Sequence, residues 1–406
     1  MEYKKGAVEP LVSYAVSTLL EYKRARGELD ARLDCERSVW RAIYEGGRSS
    51  SWIFNSIVNK HADVIDAIPT CVCLPREPGD EKDADILSRI IPVICERAGF
   101  EQIYSDNAWE KLKHGTAIYG VFWNNSLECG LGDVDIRAID IDRVFWESGV
   151  GDVQESKNLF ITGFADAEVL ESIYPNFSYE KEKNADKTLI SSLFGGTAGD
   201  GKCLVVDWYY KKIAENGETQ LHLCKFVGEH VLYSSELDDS MRDGWYNHGS
   251  YPIVIDRMYP IDNDACGFGL ISIAKSAQEY VNRLDSNMLS YTDWASRVRF
   301  WAKRSLGVNE KDFLDLDKSI VEVEGDIDEE KLRQIEIGPI DESVIDVKRL
   351  KIEELKEITG SRDVSQGGVS GGVTAASAIS ILRESGAKSS RDGIAQSYRA
   401  YVTIII

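Results

Sequence analysis

Several stretches of this chain place reactive residue types at spacings that chemistry uses. Gly196-Thr197-Ala198-Gly199-Asp200-Gly201-Lys202-Cys203 carries both glycines and the lysine of a phosphate-binding P-loop. The hydroxyl that would hold magnesium is replaced by Cys203, and an alternating strand-like run follows where a helix should begin. Asp262-Asn263-Asp264-Ala265-Cys266-Gly267 opens like a calcium loop, but position five is Cys266 and position twelve is Ile273 instead of glutamate. Asp133, Asp135, Asp140 and Asp142 form an acidic set around strands, the residue type that two-metal nuclease sites use. No His, Lys or Glu stands at a matching spacing, so solvent-facing strand edges are expected. The five histidines make no metal pair at helical spacing; His222 and His230 flank a hairpin and read as cross-strand packing. Cys71 and Cys73 suit one face of a strand and are poorly spaced for zinc. No metal or cofactor is expected.

One candidate is left, the segment Ser361-Arg362-Asp363-Val364-Ser365-Gln366-Gly367-Gly368-Val369-Ser370-Gly371-Gly372. Its glycines give backbone freedom and close approach, and its serines and Gln366 suit weak contact with phosphates. Arg362 and Lys388 are the nearest bases. An ordinary linker before a helix has the same composition. The elements around it organise the C-terminal part of the chain. Apolar residues spaced by three or four predict a long helix from Phe268 to about Arg304. Asp341 to Thr359 predicts a second helix, with Gly360 as a left-handed C-terminal cap. Thr374 is a good N-cap for a third, which stops before Gly386. Between the first two helices, residues 307–346 carry fourteen acids and four bases, and short alternating runs predict a small α/β unit. Such a unit buries too little apolar surface to be stable alone, so strand addition between copies is expected.

This order of helix, small insert, helix, glycine-rich loop and helix resembles the portal proteins of tailed bacteriophages. The residues that carry the likeness are Ile358-Thr359-Gly360-Ser361-Arg362-Asp363-Val364, the glycine loop, and Val373-Thr374-Ala375-Ala376-Ser377-Ala378-Ile379. Trp52-Ile53-Phe54-Asn55 and Gly115 to Trp123 add support from the N-terminal half. The resemblance implies an α+β fold, with a helical and β-rich wing over 1–265 and a first stem helix over 266–306. An acidic clip insert over 307–340, a second stem helix over 341–360 and a channel loop over 361–373 would follow. A post-loop helix, with the wing or crown start, would occupy 374–406. The implied function is structural: a ring, usually of twelve copies, at one capsid vertex, through which double-stranded DNA is packaged and ejected. The implied partners are the terminase large subunit, which would supply the ATPase, a head-completion or connector protein, and the major capsid and scaffold proteins.

On that reading Arg362, Gln366, Gly367, Gly368, Ser370, Gly371, Gly372 and Lys388 would face DNA. Trp294 would pack between neighbouring stem helices, and Arg297, Arg299, Lys303 and Arg304 would meet acids of a neighbouring insert, among them Asp315, Asp317, Glu322 and Glu324. Many portals continue into a helical crown where this sequence stops at Ile406, so a short member or a truncated sequence is expected. The rival readings are a cytosolic α+β enzyme with 361–373 as a phosphate cradle, and a non-viral scaffold that docks through the acidic insert.

Composition bounds these readings. The 406 residues are 43% hydrophobic and 28% charged, enough for a large core and two or three domains. A net charge of −21 argues against a general nucleic-acid-binding surface; taken alone it reads as support for solubility, and it is compatible with a channel through which duplex slides without sticking. The eight scattered cysteines, with no secretory signal, read as reduced buried thiols in a cytoplasmic protein; the resemblance implies the host cytoplasm during assembly and then the virion. No apolar run reaches membrane-spanning length.

Along the wing, helices are predicted over Val8 to Arg26, Leu29 to Tyr44, Ser51 to Ile68, Asp85 to Ala98, Tyr104 to His114 and Ala167 to Tyr174. The basic run Lys23-Arg24-Ala25-Arg26 reads as a solvated helix face. Strands are predicted over Cys71 to Leu74, Ala117 to Trp123, Val134 to Ile141, Val144 to Trp146 and Leu159 to Phe164. A meander over Cys203 to Lys212, Thr219 to Phe226 and His230 to Ser234 follows. Residues 176–201 read as a flexible loop.

Overall fold

The computed structural model describes residues 5–45, 50–196, 199, 201–213, 217, 219–241, 244–296, 300–302, 311, 332–334, 338–360 and 388–406. The fold is α+β. Its helices are α1 (Lys5–Ala25), α2 (Gly27–Tyr44), α3 (Trp52–Ile65), α4 (Glu81–Arg97), α5 (Phe100–His114), α6 (Ala167–Ile173) and α7 (Tyr179–Phe194). Three more follow: α8 (Leu270–Ala295), α9 (Glu342–Thr359) and α10 (Lys388–Ile405).

Two sheets form within residues 116–257. The smaller one places β1 (Thr116–Asn124) between β2 (Asp133–Ile139) and β8 (Ile253–Arg257), all antiparallel. The larger is a meander of β3 (Val144–Trp146), β4 (Asn158–Asp166), β5 (Lys202–Ile213), β6 (Thr219–Val227) and β7 (His230–Ser234). Side chains alternate across a strand. Leu204, Val206, Trp208 and Tyr210 of β5 therefore share one face, which α1 covers with Val12, Ala15 and Leu19, and α7 with Leu189, Ile190 and Leu193. Tyr209 points the other way and joins Leu221 and Leu223 against Ile118 and Ile253 of the smaller sheet. Two further short pairs are β9 (Tyr259–Pro260) with β10 (Gly267–Phe268), and β11 (Phe300–Ala302) with β12 (Leu332–Gln334).

Four sequence expectations are corrected. Residues 176–201 hold helix α7, whose Leu189, Ile190 and Leu193 recur at helical spacing and bury against the sheet. The first long helix stops at Ala295, and Phe300–Ala302 is a strand; aromatic residues suit a pleated partner better than a helix. Cys71 to Leu74 forms no strand, because no neighbouring strand bonds to it. Arg26 is no solvated face. Its guanidinium donates to the Ile141 and Val144 carbonyls and lies 5.0 Å from the Phe145 ring centre. The predicted helix from Thr374 lies outside the described residues.

Candidate functional site: the stem and its root

The second helix was set by its ends. Asp341 caps α9 by accepting from the Ser343 N–H at 3.0 Å, and Gly360 closes it at φ 68. α9 runs antiparallel to α8. Leu355 packs among Leu270, Ile271, Ala274 and Ala277, Lys348 pairs with Asp285, and the Tyr291 hydroxyl reaches the Gly338 carbonyl. Beyond this pair, β11 meets β12 with Phe300 opposite Gln334 and Ala302 opposite Leu332. The chain between them therefore leaves and returns at one narrow neck.

The pair leaves apolar surface uncovered. Val347, Leu350 and Ile358 of α9 fall within one stripe of its helical wheel, and Leu350 is 62% exposed. Leu289 of α8 is 53% exposed. A soluble monomer has little reason to present such a stripe along two packed helices.

The helix pair is joined to the N-terminal part of the chain by a close backbone crossing. Gly115 ends α5 at φ 83, and a Cβ there would overlap the Phe268 backbone. A Cβ on Gly269 would come within 2.6 Å of the Gly115 nitrogen. Only glycine allows the two segments to pass so closely. Around the crossing, His114 Nδ1 lies 2.9 Å from a Glu36 oxygen, and Ser272 donates to the other. Gln278 of α8 accepts from the Ile53 N–H at 3.3 Å.

The stretch between α9 and α10, residues 361–387, has both its flanks fastened to α3. At its start, Thr359 and Ser56 hydroxyls lie 3.1 Å apart, buried. At its return, Lys60 Nζ donates to Ser390 at 3.3 Å, and Ser390 donates to Asp63 at 2.7 Å. The returning helix α10 is locked by a buried ion pair. Lys111 Nζ donates to Asp256 Oδ1 at 2.6 Å, to the Gly393 carbonyl at 2.8 Å and to Ser397 at 2.7 Å. Ser397 donates in turn to Asp256 Oδ2 at 2.7 Å, so all three ammonium protons are placed. Burial pushes the Lys111 ammonium down and the Asp256 carboxyl up, and their contact opposes both.

Of the residues singled out by sequence, the DNA-facing set Arg362, Gln366, Gly367, Gly368, Ser370, Gly371 and Gly372 lies outside the described residues. So do Arg297, Arg299, Lys303, Arg304, Asp315, Asp317, Glu322 and Glu324. Trp294 sits in the last turn of α8, and Lys388 opens α10. The anchors Ser56, Lys60, Lys111, Asp256, Ser390 and Ser397 were missed. Lysines at core positions of α3 and α5, Lys60 and Lys111, were the available signal, because an unpaired buried ammonium is costly.

The motifs that suggested chemistry resolve as structure. Lys202 and Cys203 run directly into β5, and burial pushes the Cys203 thiol up to about 11. Asp133 is paired with Arg97, Asp135 with Arg137, and both Asp140 and Asp142 with Arg37. His222 sits opposite Tyr210 and His230 opposite Val227, so the two rings do not meet. Among the described residues no group of His, Cys, Asp and Glu could hold a metal ion, and no helix is long and apolar enough to cross a membrane.

The described residues thus form an α+β fold in which the paired helices α8 and α9 and the closing helix α10 are all fastened to the N-terminal part of the chain. A model of the phage P22-like portal protein family matches residues 57–401, most of the chain. The chain belongs to the P22-like phage portal protein family. A search of curated proteins finds no match.

Proposed function

We propose that copies of this chain close into a ring at one capsid vertex, with the α8–α9 stems side by side around a DNA channel. The observation that carries this is the exposed stripe of Val347, Leu350 and Ile358 on α9, with Leu289 exposed on α8 beside it in the pair. A repeated head-to-tail contact that closes through rotation would bury it. Double-stranded DNA passes inward during packaging and outward at ejection. Residues 361–373 face it, as the family likeness implies, and the two helices that flank residues 361–387 are both held on α3. The acidic insert at the stem's far end is the docking site for the terminase large subunit and later for a connector protein. Arg297, Arg299, Lys303 and Arg304 meet its acids on the neighbouring copy. A net charge of −21 disfavours retention of phosphates on the subunit as a whole.

Negative-stain electron microscopy tests the reading. Rings with a central hole are expected, twelvefold by the family's habit. Leu350→Asp should abolish them while leaving the melting temperature of the monomer unchanged. Compact single particles at every concentration and salt would refute the reading.

A further inference from the structure

A cleft of about 770 Å³ opens between the two sheets of the wing. Two open strand edges form its walls. β2 bonds to β1 on one side only. β3 covers β4 only from Leu159 to Ile161, so the rest of β4 bonds to β5 alone. Consecutive residues of both strands, 137–139 and 161–165, line the cleft. A sheet face would present every second residue, whereas an edge presents them all. Gly163 lies in this free stretch, and a Cβ built on it would meet nothing within 4 Å. A glycine inside a strand with open space beyond it suits the close approach of another backbone.

The lining also has a definite chemistry. Trp123 is 55% exposed at the rim, and the Trp245 indole N–H is buried with no hydrogen-bond partner. Asp135 is held by Arg137, Asp140 by Arg37 and Asp207 by Lys225. Arg143 is exposed, its guanidinium 5.9 Å from the Phe164 ring centre, and no carboxylate pairs with it among the described residues. The cleft thus offers unpaired backbone groups, an aromatic wall, one spare N–H donor and one spare cation.

We propose that this cleft binds an extended segment of a partner polypeptide as an added strand. The segment places an apolar side chain against Trp123 and an acidic side chain against Arg143. Strand addition supplies affinity through main-chain hydrogen bonds, and alternate side chains set the choice of partner. Arg143 favours an acidic segment over a basic one by charge complementarity. The inference does not depend on ring assembly, because every residue it uses lies in one wing.

The probe is a random heptapeptide library panned on the full chain, followed by fluorescence anisotropy on the enriched peptides. Enriched sequences should alternate apolar residues and include Asp or Glu. Arg143→Glu should weaken their binding at least tenfold, and Arg143→Lys should restore most of it. N-methylation of alternate peptide amides should abolish binding, which a contact made by side chains alone would survive. Arg143 is exposed, so its variants should melt with the wild type, and that control separates lost binding from lost fold. Absence of enrichment, or binders indifferent to both Arg143→Glu and N-methylation, would overturn the proposal.

Discussion

Lys111→Met is the most informative single change in this protein. Its ammonium serves Asp256, the Gly393 carbonyl and Ser397 at once, and the side chains of Lys111 and Asp256 are 4% and 2% exposed. Methionine fills similar volume and removes all three donors. Asp256 then keeps only the Ser397 hydroxyl, and the Gly393 carbonyl loses its lysine donor. Breaking a buried pair by deleting one partner costs about 3–5 kcal/mol, chiefly the desolvation of the charge left behind. Urea denaturation at pH 7 should show that loss. The cost should depend on pH with a definite sign. Without its counterion, Asp256 has a folded pKa raised further above its unfolded value by burial. The variant's penalty is therefore full above that folded pKa and shrinks as pH falls towards the unfolded value. Adding Asp256→Leu removes the stranded charge, so the double variant should recover most of the stability. A Lys111→Met cost below about 1 kcal/mol, against the 3–5 kcal/mol expected of a buried pair, would refute the assignment of this pair as the lock on α10. So would a double variant no better than the single one.

Asp186 is buried beneath α7, accepts from the Leu204 N–H and the Tyr179 hydroxyl, and has its carboxyl pushed up to about 6. Its charge is a cost above that pH, so Asp186→Asn should stabilise by about 1–2 kcal/mol at pH 8, below the full ~3 kcal/mol of such a shift because water screens part of it. The gain should vanish as pH falls below about 4, where the acid is neutral in both states, as thermal melts across pH would show. Gly269→Ala forces a methyl group into the Gly115 backbone and should cost at least about 3 kcal/mol, seen as loss of soluble folded protein; a stable variant would show that the crossing yields. Burial holds His222 and His230 below their ordinary pKa, so stability should fall as pH drops from about 6.5 through their folded values. Replacing both with Asn should flatten that slope in calorimetry.

Much of the stem could be read locally. The fate of α9 follows from Asp341, Gly360 and the spacing between them, because caps and periodicity act within a few residues. β3 and β7 were read to the residue for the same reason: β-branched and aromatic runs bounded by turn residues. Where local signals conflicted, the reading failed. Helix α7 is rich in Lys and Glu, and its three apolar anchors are few enough to pass for a loop until a sheet lies beneath them. Ile394, Tyr401 and Ile404 mark the buried face of α10, but Gly393 and a serine-rich start obscure it.

The residues alone carried the capped second helix, strands β3 and β7, the acidity of residues 307–346 and the family likeness that the match over residues 57–401 establishes. Each of these is encoded in residues close along the chain. Tertiary structure alone decided which side chains hold the parts together. Lys111 meets Asp256 and Ser397 across 145 and 286 residues, and Ser56 meets Thr359 across 303. Nothing local marks such partners, because a hydrogen bond is specified by geometry in space. The same holds for the cleft between the sheets, where β2 ends one sheet and β3 stops short of the end of β4 in the other.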